Sequence, residues 1–222
     1  MHPSIFAIVI GLLVGLVVLF LCNPSQALPG FGTILTGALT HGMKGIGQVF
    51  YYATPIILTG LSVGFAFKTG LFNIGTPGQF LVGGFGAVYV GILWTNLGRG
   101  QWVAALIASI IFGAVWGLVP GLLKAYFNVN EVISSIMMNY IGLYLVNELV
   151  YQNGTGPMYD VRNTRTLNLS KNPAFAQSII PDFGLNKMFQ TNSTTIAIFL
   201  AAAVAVLIWV ILNKTTFGYE LK

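Results

Sequence analysis

Four neutral polar side chains in this sequence have residue types and spacings that suit the binding of a solute. Asn73 and Gln79 flank a Gly-rich stretch, and Ser135 and Asn139 are four residues apart, which places them on one face of a helix. Amide and hydroxyl groups donate and accept hydrogen bonds without carrying a charge. These residue types therefore favour contact with an uncharged polar solute.

No grouping of residues in the sequence is suited to catalysis or to metal binding. A nucleotide-binding P-loop and a His-Glu-x-x-His motif are both absent. Glu131 and Glu148 would lie about 25 Å apart on one helix, so they cannot act on the same bond. One cysteine, Cys22, and two histidines exclude a disulfide framework and a Cys/His metal site. We therefore expect no catalysis, no metal and no cofactor bound by this chain.

The composition excludes several classes of protein. Of 222 residues, ten are Lys or Arg and five are Asp or Glu, so 7% are charged, against about 25% in an average soluble domain. Hydrophobic residues make up 55% of the chain, and the mean hydropathy is +0.81. So few charges cannot cover a soluble surface, and the basic residues form no run. The chain is expected to contact membrane lipid and no nucleic acid.

Six apolar runs are each long enough to cross a membrane as a helix, because a span needs about 20 mostly apolar residues. They cover residues 4–22, 49–67, 79–95, 102–123, 132–150 and 194–212. The first run could instead be a cleaved signal peptide, but no Lys or Arg precedes it. The predicted fold class is an all-α polytopic transmembrane helical bundle, with residues 1–222 in a single transmembrane domain.

The two long connections between the predicted spans differ in composition. Residues 23–48 are rich in Gly and Pro and only weakly apolar, and we expect a short interfacial helix at about residues 34–39. Residues 151–193 form the most polar segment, and a loop of this length is usually functional or disordered. With the N-terminus inside, four basic residues lie on the inner side of the membrane and six on the outer side, so charge alone leaves the orientation open.

Residues 69–79 interrupt the apolar pattern between the second and third spans. The predicted helix break is marked by Gly70, Gly75, Pro77 and Gly78. Irregular backbone at membrane depth is tolerated only where protein or a water-filled cavity surrounds it, and transporters place discontinuous helices at their substrate paths. On this pattern alone, an ordinary interfacial loop is the simpler interpretation.

Polar and small residues predict which helix faces point into the bundle. The fifth span carries a stripe within an 80° sector at 100° per residue, formed by Glu131, Ser135, Asn139 and Gly142. Glu131 is most simply a helix-capping residue, after Asn128 or Asn130, and Asn139 most simply an interhelical hydrogen-bonding residue. The second span has a thinner stripe, formed by Pro55, Thr59, Ser62 and Ala66. Glycine pairs predict close helix packing: Gly11/Gly15, Gly60/Gly64, Gly113/Gly117 and Gly117/Gly121.

Three blocks of sequence resemble nucleoside and simple-sugar ABC importer permeases of the branched-chain amino acid/ribose permease superfamily. The blocks are residues 60–79, residues 123–141 and residues 213–222. Members of that family usually carry a Glu two residues after Gly75, where this chain has Pro77. A role for that acid is therefore not transferred to this chain.

The resemblance implies the permease subunit of an ATP-driven ABC importer that forms part of a translocation path for nucleosides. The implied partners are ATP-binding subunits that use the ATP, a second permease subunit and an extracytoplasmic substrate-binding protein. The alternatives are a permease for ribose or another simple sugar, a non-transporting membrane scaffold and a passive channel. The expected path residues are Asn73, Gln79, Ser135 and Asn139. Phe72 and Tyr140 could stack on a base, although packing explains both more simply.

The resemblance also implies an orientation and an expected length. The N-terminus and Lys222 would be cytoplasmic, in a bacterial plasma membrane, and the 151–193 loop would be extracytoplasmic and face the binding protein. The similarity covers about the N-terminal two-thirds of such a permease. We therefore expect a chain truncated from a longer permease, incomplete as a transmembrane domain and inactive alone.

Overall fold

The computed structural model describes residues 3–169 and 172–221, and the described chain is mostly helical. Its α-helices are α1 (Pro3–Cys22), α2 (Pro24–Thr40), α3 (Gly42–Lys68), α4 (Thr76–Leu93), α5 (Gln101–Phe127), α6 (Glu131–Tyr151), α7 (Leu185–Phe189), α8 (Ala197–Lys214) and α9 (Thr216–Glu220). Two short antiparallel strands, β1 (Tyr159–Asp160) and β2 (Arg165–Thr166), form a hairpin. Lys222, which is part of the predicted orientation, and residues 170 and 171 of the polar 151–193 segment lie outside the described residues.

Six helical segments of the described chain are long and apolar enough to cross a membrane. This confirms the predicted all-α polytopic fold, in which the spanning helices bond their backbone amides internally. The ends of the spans differ by a few residues from the sequence-based bounds. The largest difference is in α3, which begins at Gly42, seven residues before residue 49.

The short helix expected at residues 34–39 is wrong in its extent, since α2 runs from Pro24 to Thr40. Pro24 lies in the first turn, where a missing N–H removes no helical hydrogen bond. Further along, the Thr36 hydroxyl donates to the carbonyl of Gly32 at 2.7 Å, so the polar side chain is satisfied within the helix. The Gly and Pro content therefore lowers the helix propensity of this segment without preventing the helix.

The polar segment at residues 151–193 has local structure over most of its described length. It contains the β1–β2 hairpin, helix α7 and 3-10 turns at Gln152–Gly154 and Pro173–Ser178. Asn172 caps the second of these turns, because its side-chain oxygen accepts a hydrogen bond from the Ala174 N–H at 3.0 Å. The described part of this connection is therefore folded rather than a plain linker.

The contacts divide the chain into two compact units, one of which comprises Met1–Ala53 and Asp182–Thr195. In this unit α1 packs on α2. The Thr194 hydroxyl, which is buried, donates to the carbonyl of Gly47 at 3.1 Å. A Cβ at Gly47 would lie 2.7 Å from the Cβ of Phe189, so glycine is needed for this approach.

The other unit comprises Thr54–Pro181 and Ile196–Lys222, and α4 is its most buried helix. Helix α4 packs on α5 and α6 through glycines: a Cβ at Gly83 would lie 3.0 Å from the carbonyl oxygen of Ser109. The buried Gln101 side chain donates to the carbonyl of Gly91 at 3.0 Å, which satisfies a carbonyl near the end of α4. These contacts fix the helix that follows the break.

Of the four predicted glycine pairs, Gly113/Gly117 lies in a close helix contact. A Cβ at Gly117 would lie 3.0 Å from Nε2 of Gln79, and one at Gly113 would lie 3.4 Å from the Gln79 carbonyl oxygen. The remaining pair members, Gly11, Gly15, Gly60, Gly64 and Gly121, have no such neighbour within 4 Å among the described residues. The prediction of close helix packing was therefore wrong for those positions among the described residues.

Candidate functional site: a helix break beside a cavity

Residues 69–75 separate α3 from α4 and have no regular secondary structure apart from a turn. Gly70 has a φ of +73°, a left-handed conformation that favours glycine. At the other end, the Gly75 N–H donates to Oδ1 of Asn73 at 2.9 Å, and this turn leads into α4. The predicted break was too long, because Pro77 and Gly78 lie in the first turn of α4, where proline is well tolerated.

Asn139 of α6 holds one side of the break. Its Nδ2 donates to the carbonyl of Ile74 at 3.0 Å, and its Oδ1 accepts from the Gly78 N–H at 2.9 Å. The Ile74 carbonyl belongs to irregular backbone and the Gly78 N–H to the first turn of a helix, so neither backbone group has a hydrogen-bond partner within a helix. The side-chain amide therefore satisfies the backbone, in agreement with the interhelical hydrogen bonding expected of Asn139.

Tight packing surrounds this clamp. A Cβ at Gly78 would lie 2.7 Å from Oδ1 and 3.0 Å from Cα of Asn139, so only glycine allows α4 to approach α6 here. Trp116 of α5 closes the same region, since its Nε1 donates to the carbonyl of Met138 at 3.2 Å. A Cβ at Gly142 would lie 3.2 Å from that nitrogen. Asn139, Gly78 and Trp116 together are called the clamped side of the break.

The opposite side of the break presents the amides of Asn73 and Gln79, and these two residues are called the cavity side. Each amide donates to the other at 3.4 Å, and Nδ2 of Asn73 also donates to Oγ of Ser62 at 3.3 Å. Typical N–H···O bonds are about 2.9–3.0 Å long, so these contacts are weak. Oδ1 of Asn73 is also held by the Gly75 N–H at 2.9 Å, so the groups able to exchange partners with a bound solute are Nδ2 of Asn73 and the Gln79 amide.

A cavity of about 710 Å³, called the break cavity, opens beside these amides. Its volume is within the roughly 300–1,000 Å³ of small-molecule sites. The lining is formed by Ser62, Phe65, Ala66, Thr69, Leu71, Phe72, Asn73, Gln79, Gly117, Pro120, Gly121, Lys124, Ala125, Glu131, Ser135 and Ile208. Ser135 is 3% exposed, and its hydroxyl has no hydrogen-bond partner among the described residues. The cavity thus combines apolar walls with several neutral polar groups.

An ion pair also lines the break cavity, between Nζ of Lys124 and Oε2 of Glu131 at 3.0 Å. Lys124 is in the last turn of α5 and Glu131 in the first turn of α6, and the left-handed Asn128 turns the chain between them. The helix cap is Asn130, whose Oδ1 accepts from the Val132 N–H at 2.9 Å. Asn130, one of the two cap residues expected from the sequence, is therefore the cap. Glu131 lies in the first turn, where its carboxylate interacts with its own backbone N–H and with Lys124.

Three of the four expected path residues meet at one cavity, namely Asn73, Gln79 and Ser135. Asn139 is absent from the lining, because its amide is turned toward the backbone of the break. Phe72 lines the cavity, and its ring meets Phe67 edge-on with 4.9 Å between centroids.

One aromatic residue expected near the path lies outside the break cavity, and two polar residues line it unexpectedly. Tyr140 is exposed and does not line the break cavity. The sequence analysis missed Ser62 and Lys124 as lining residues. The thin polar stripe of the second span was the signal for Ser62, whereas no pattern indicated that Lys124 would face the same space.

The fold and this site define a polytopic membrane protein in which the irregular connection between two helices of spanning length lines a cavity with apolar walls and several polar groups. A family model described as the permease component of branched-chain amino acid transport systems matches residues 45–222. The chain belongs to this family of transport permease components, and it is a multi-pass protein of the bacterial plasma membrane.

Three relatives illustrate the similarity. The guanosine ABC transporter permease protein NupP of Bacillus subtilis is 35% identical over 98% of this chain and 59% of its own length. The nucleoside ABC transporter permease protein NupB of Lactococcus lactis is 30% identical over 98% of this chain and 58% of its own length. The glucose ABC transporter permease protein TsgB13 of Haloferax volcanii is 29% identical over 86% of this chain and 49% of its own length.

The chain spans less than two thirds of the length of these relatives. No solved structure matches it. The similarity nevertheless extends over the break, the clamp and the cavity, since two of the relatives cover nearly the whole chain.

Proposed function

We propose that this chain is part of the permease subunit of an ATP-driven ABC importer that carries nucleosides across the plasma membrane. The observation that carries the proposal is a sequence identity of 35% and 30% with permeases named for guanosine and nucleosides, in alignments that cover 98% of this chain. The chain would serve transport rather than catalysis, and ATP would be bound and hydrolysed by partner subunits.

The chemistry of the break cavity supports an uncharged polar substrate. A nucleoside presents sugar hydroxyls and base edges, which pair well with amides and hydroxyls such as those of Asn73, Gln79 and Ser135. Phe72 adds an aromatic wall. Since these groups are neutral, binding does not require burial of an unpaired charge at membrane depth. Asn139 would support the path indirectly by holding the break.

The proposed assembly contains a second permease subunit, two ATP-binding subunits and an extracytoplasmic substrate-binding protein. In the proposed orientation the N-terminus and Lys222 are cytoplasmic, and the 151–193 segment faces the binding protein. Single cysteines at Arg162 and Lys214, in a Cys22→Ser background, test this orientation with a membrane-impermeant thiol reagent. Arg162→Cys should label from outside and Lys214→Cys from inside, whereas labelling of both from one side would contradict the arrangement.

A simple-sugar substrate is the second candidate, and the relative named for glucose favours it. A sugar offers hydroxyls to the same amides but no planar base for an aromatic wall. Competition between the two substrates separates the candidates. Excess unlabelled guanosine should abolish uptake of labelled guanosine, and an equal excess of ribose or glucose should leave it unchanged.

The function is tested by uptake of labelled guanosine in cells with and without the gene. Loss of the gene should abolish ATP-dependent uptake, and the reintroduced gene should restore it. Unchanged uptake after deletion would contradict transport and favour a scaffold. Uptake that persists after depletion of ATP would favour a passive channel.

A further inference from the structure

A second cavity, of about 670 Å³, lies at the Tyr151 end of α6, the end opposite to the break cavity. We call it the hairpin cavity, because the β1–β2 hairpin forms one of its walls. It is lined by Leu81, Tyr144, Val146, Asn147, Glu148, Val150, Tyr151, Tyr159, Thr164, Arg165 and Thr166. Three tyrosines, one carboxylate, one amide and two hydroxyls are thus gathered in a space of small-molecule size.

The hairpin that closes this cavity is held by its own contacts. Tyr159 of β1 meets Tyr151 of α6 edge-on, with 5.1 Å between ring centroids. The Asn163 amide donates to Oδ2 of Asp160 at 2.7 Å, and this bond, with the nearby positive charge of Arg165, lowers the pKa of the Asp160 carboxyl. A cavity with an ordered wall loses little conformational entropy when a ligand binds.

Glu148 is the acidic residue on the lining, and its side chain is exposed. It lies in the last turns of α6, where the negative end of the helix dipole disfavours a carboxylate. Among the described residues, the side chains of Glu148 and Asn147 have no hydrogen-bond or ion-pair partner. Arg165 lines the same cavity, but Asp160 stands opposite it in the hairpin and its charge acts on that carboxyl. The Glu148 carboxylate is therefore accessible to a solute in the hairpin cavity.

We propose that the hairpin cavity is a second binding site, for a solute that combines hydroxyl donors with a planar ring. Hydroxyl groups would donate to the Glu148 carboxylate, a charge-assisted bond that is stronger than a neutral one. The ring would pack on the tyrosines, of which Tyr144 is 69% exposed. The positive charge of Arg165 on the lining disfavours a cation. This is the chemistry of a nucleoside, and the identity of the solute rests on the proposed function.

Anchoring at the membrane interface is the competing explanation of the three tyrosines, since Tyr is enriched at that depth. Anchoring requires the aromatic rings but not the carboxylate. Replacement of Glu148 by Gln, which keeps the size of the side chain, therefore separates the two explanations.

The experiment measures substrate protection of a cysteine in the cavity, in membrane vesicles that contain the whole transporter. The reporter is Thr166→Cys in a Cys22→Ser background, and the matched control is Val161→Cys, an exposed hairpin position outside the lining. Saturating guanosine should slow labelling of the reporter by a thiol reagent severalfold and leave the control unchanged. Ribose at the same concentration should not protect. Adding Glu148→Gln should raise the half-protecting guanosine concentration about tenfold.

Each outcome decides the proposal. Equal labelling rates with and without guanosine, in vesicles that take up guanosine, would overturn the site and leave the transport function standing. Protection that survives Glu148→Gln unchanged would overturn the role of the carboxylate, and protection by ribose would overturn the role of the ring. Protection in vesicles that take up no guanosine would support the site while contradicting the proposed transport.

Discussion

The two sides of the helix break use the same residue types for opposite purposes. On the clamped side, the Asn139 amide makes hydrogen bonds of 2.9 and 3.0 Å to the backbone, in a contact that admits only glycine at Gly78. On the cavity side, the amides of Asn73 and Gln79 meet at 3.4 Å beside open space. Short bonds to otherwise unpaired backbone hold a structure, whereas long bonds between side chains leave groups available to a ligand.

Asn139→Ala should have the largest effect on stability. The substitution leaves the Ile74 carbonyl and the Gly78 N–H without partners, which costs about 2–4 kcal/mol for the two groups. Thermal unfolding of the purified transporter in detergent measures the change. Asn147→Ala on the same helix is the control, and an equally small shift for both variants would contradict the clamp.

Gly78→Ala should be the next most disruptive change. Its new Cβ would meet Asn139 at 2.7 Å, and overpacking of this kind costs about 1–3 kcal/mol. The matched control is Gly84→Ala in the same helix, where a Cβ would have no neighbour within 4 Å. The amount of folded transporter in the membrane should fall for Gly78→Ala only. Equal amounts for the two variants would show that α4 and α6 do not approach this closely.

Glu131→Gln, on the rim of the break cavity, should change stability least. The ion pair with Lys124 is partly exposed, and solvent screening makes the contribution of such pairs to stability small. Asn130→Ala removes the cap of the same helix and should cost about 1 kcal/mol, more than the ion pair. Thermal unfolding of the two variants gives the order, and a larger loss for Glu131→Gln would contradict the assignment of the cap.

The spans could be predicted from the sequence because lipid allows only long apolar helices, and α1, α3, α4, α5, α6 and α8 follow from that constraint. The extent of α2 could not, since the Gly and Pro content of this segment indicated only a short helix at about residues 34–39. The helix instead begins at Pro24 and continues through Pro29 in its interior. The polar stripe of α6 correctly pointed Ser135 inward. Local pattern was therefore sufficient for the six spans and for the inward position of Ser135, but not for the extent of α2.

The different roles of the Asn139 amide, which holds the backbone, and of the Asn73 and Gln79 amides, which line the cavity, could not be predicted. Asn139 meets backbone groups 61 and 65 residues away in sequence, and no local pattern specifies such a pairing. The ion pair between Lys124 and Glu131 was not predicted either, because it depends on the left-handed turn at Asn128 that brings the two side chains together. Residue type identified the polar groups, and only their long-range partners distinguished a clamp from a candidate ligand contact.

The most direct test of the two-sided break is the KM of guanosine uptake by a Gln79→Ala transporter, corrected for the amount of folded protein. Gln79 makes only long side-chain hydrogen bonds, although its side chain packs on Gly117, so its loss should lower the unfolding temperature less than Asn139→Ala does. If the amide contacts the substrate, KM should rise about three- to tenfold, the effect of one neutral hydrogen bond. An unchanged KM in both Gln79→Ala and Asn73→Ala, with normal amounts of folded protein, would contradict the account.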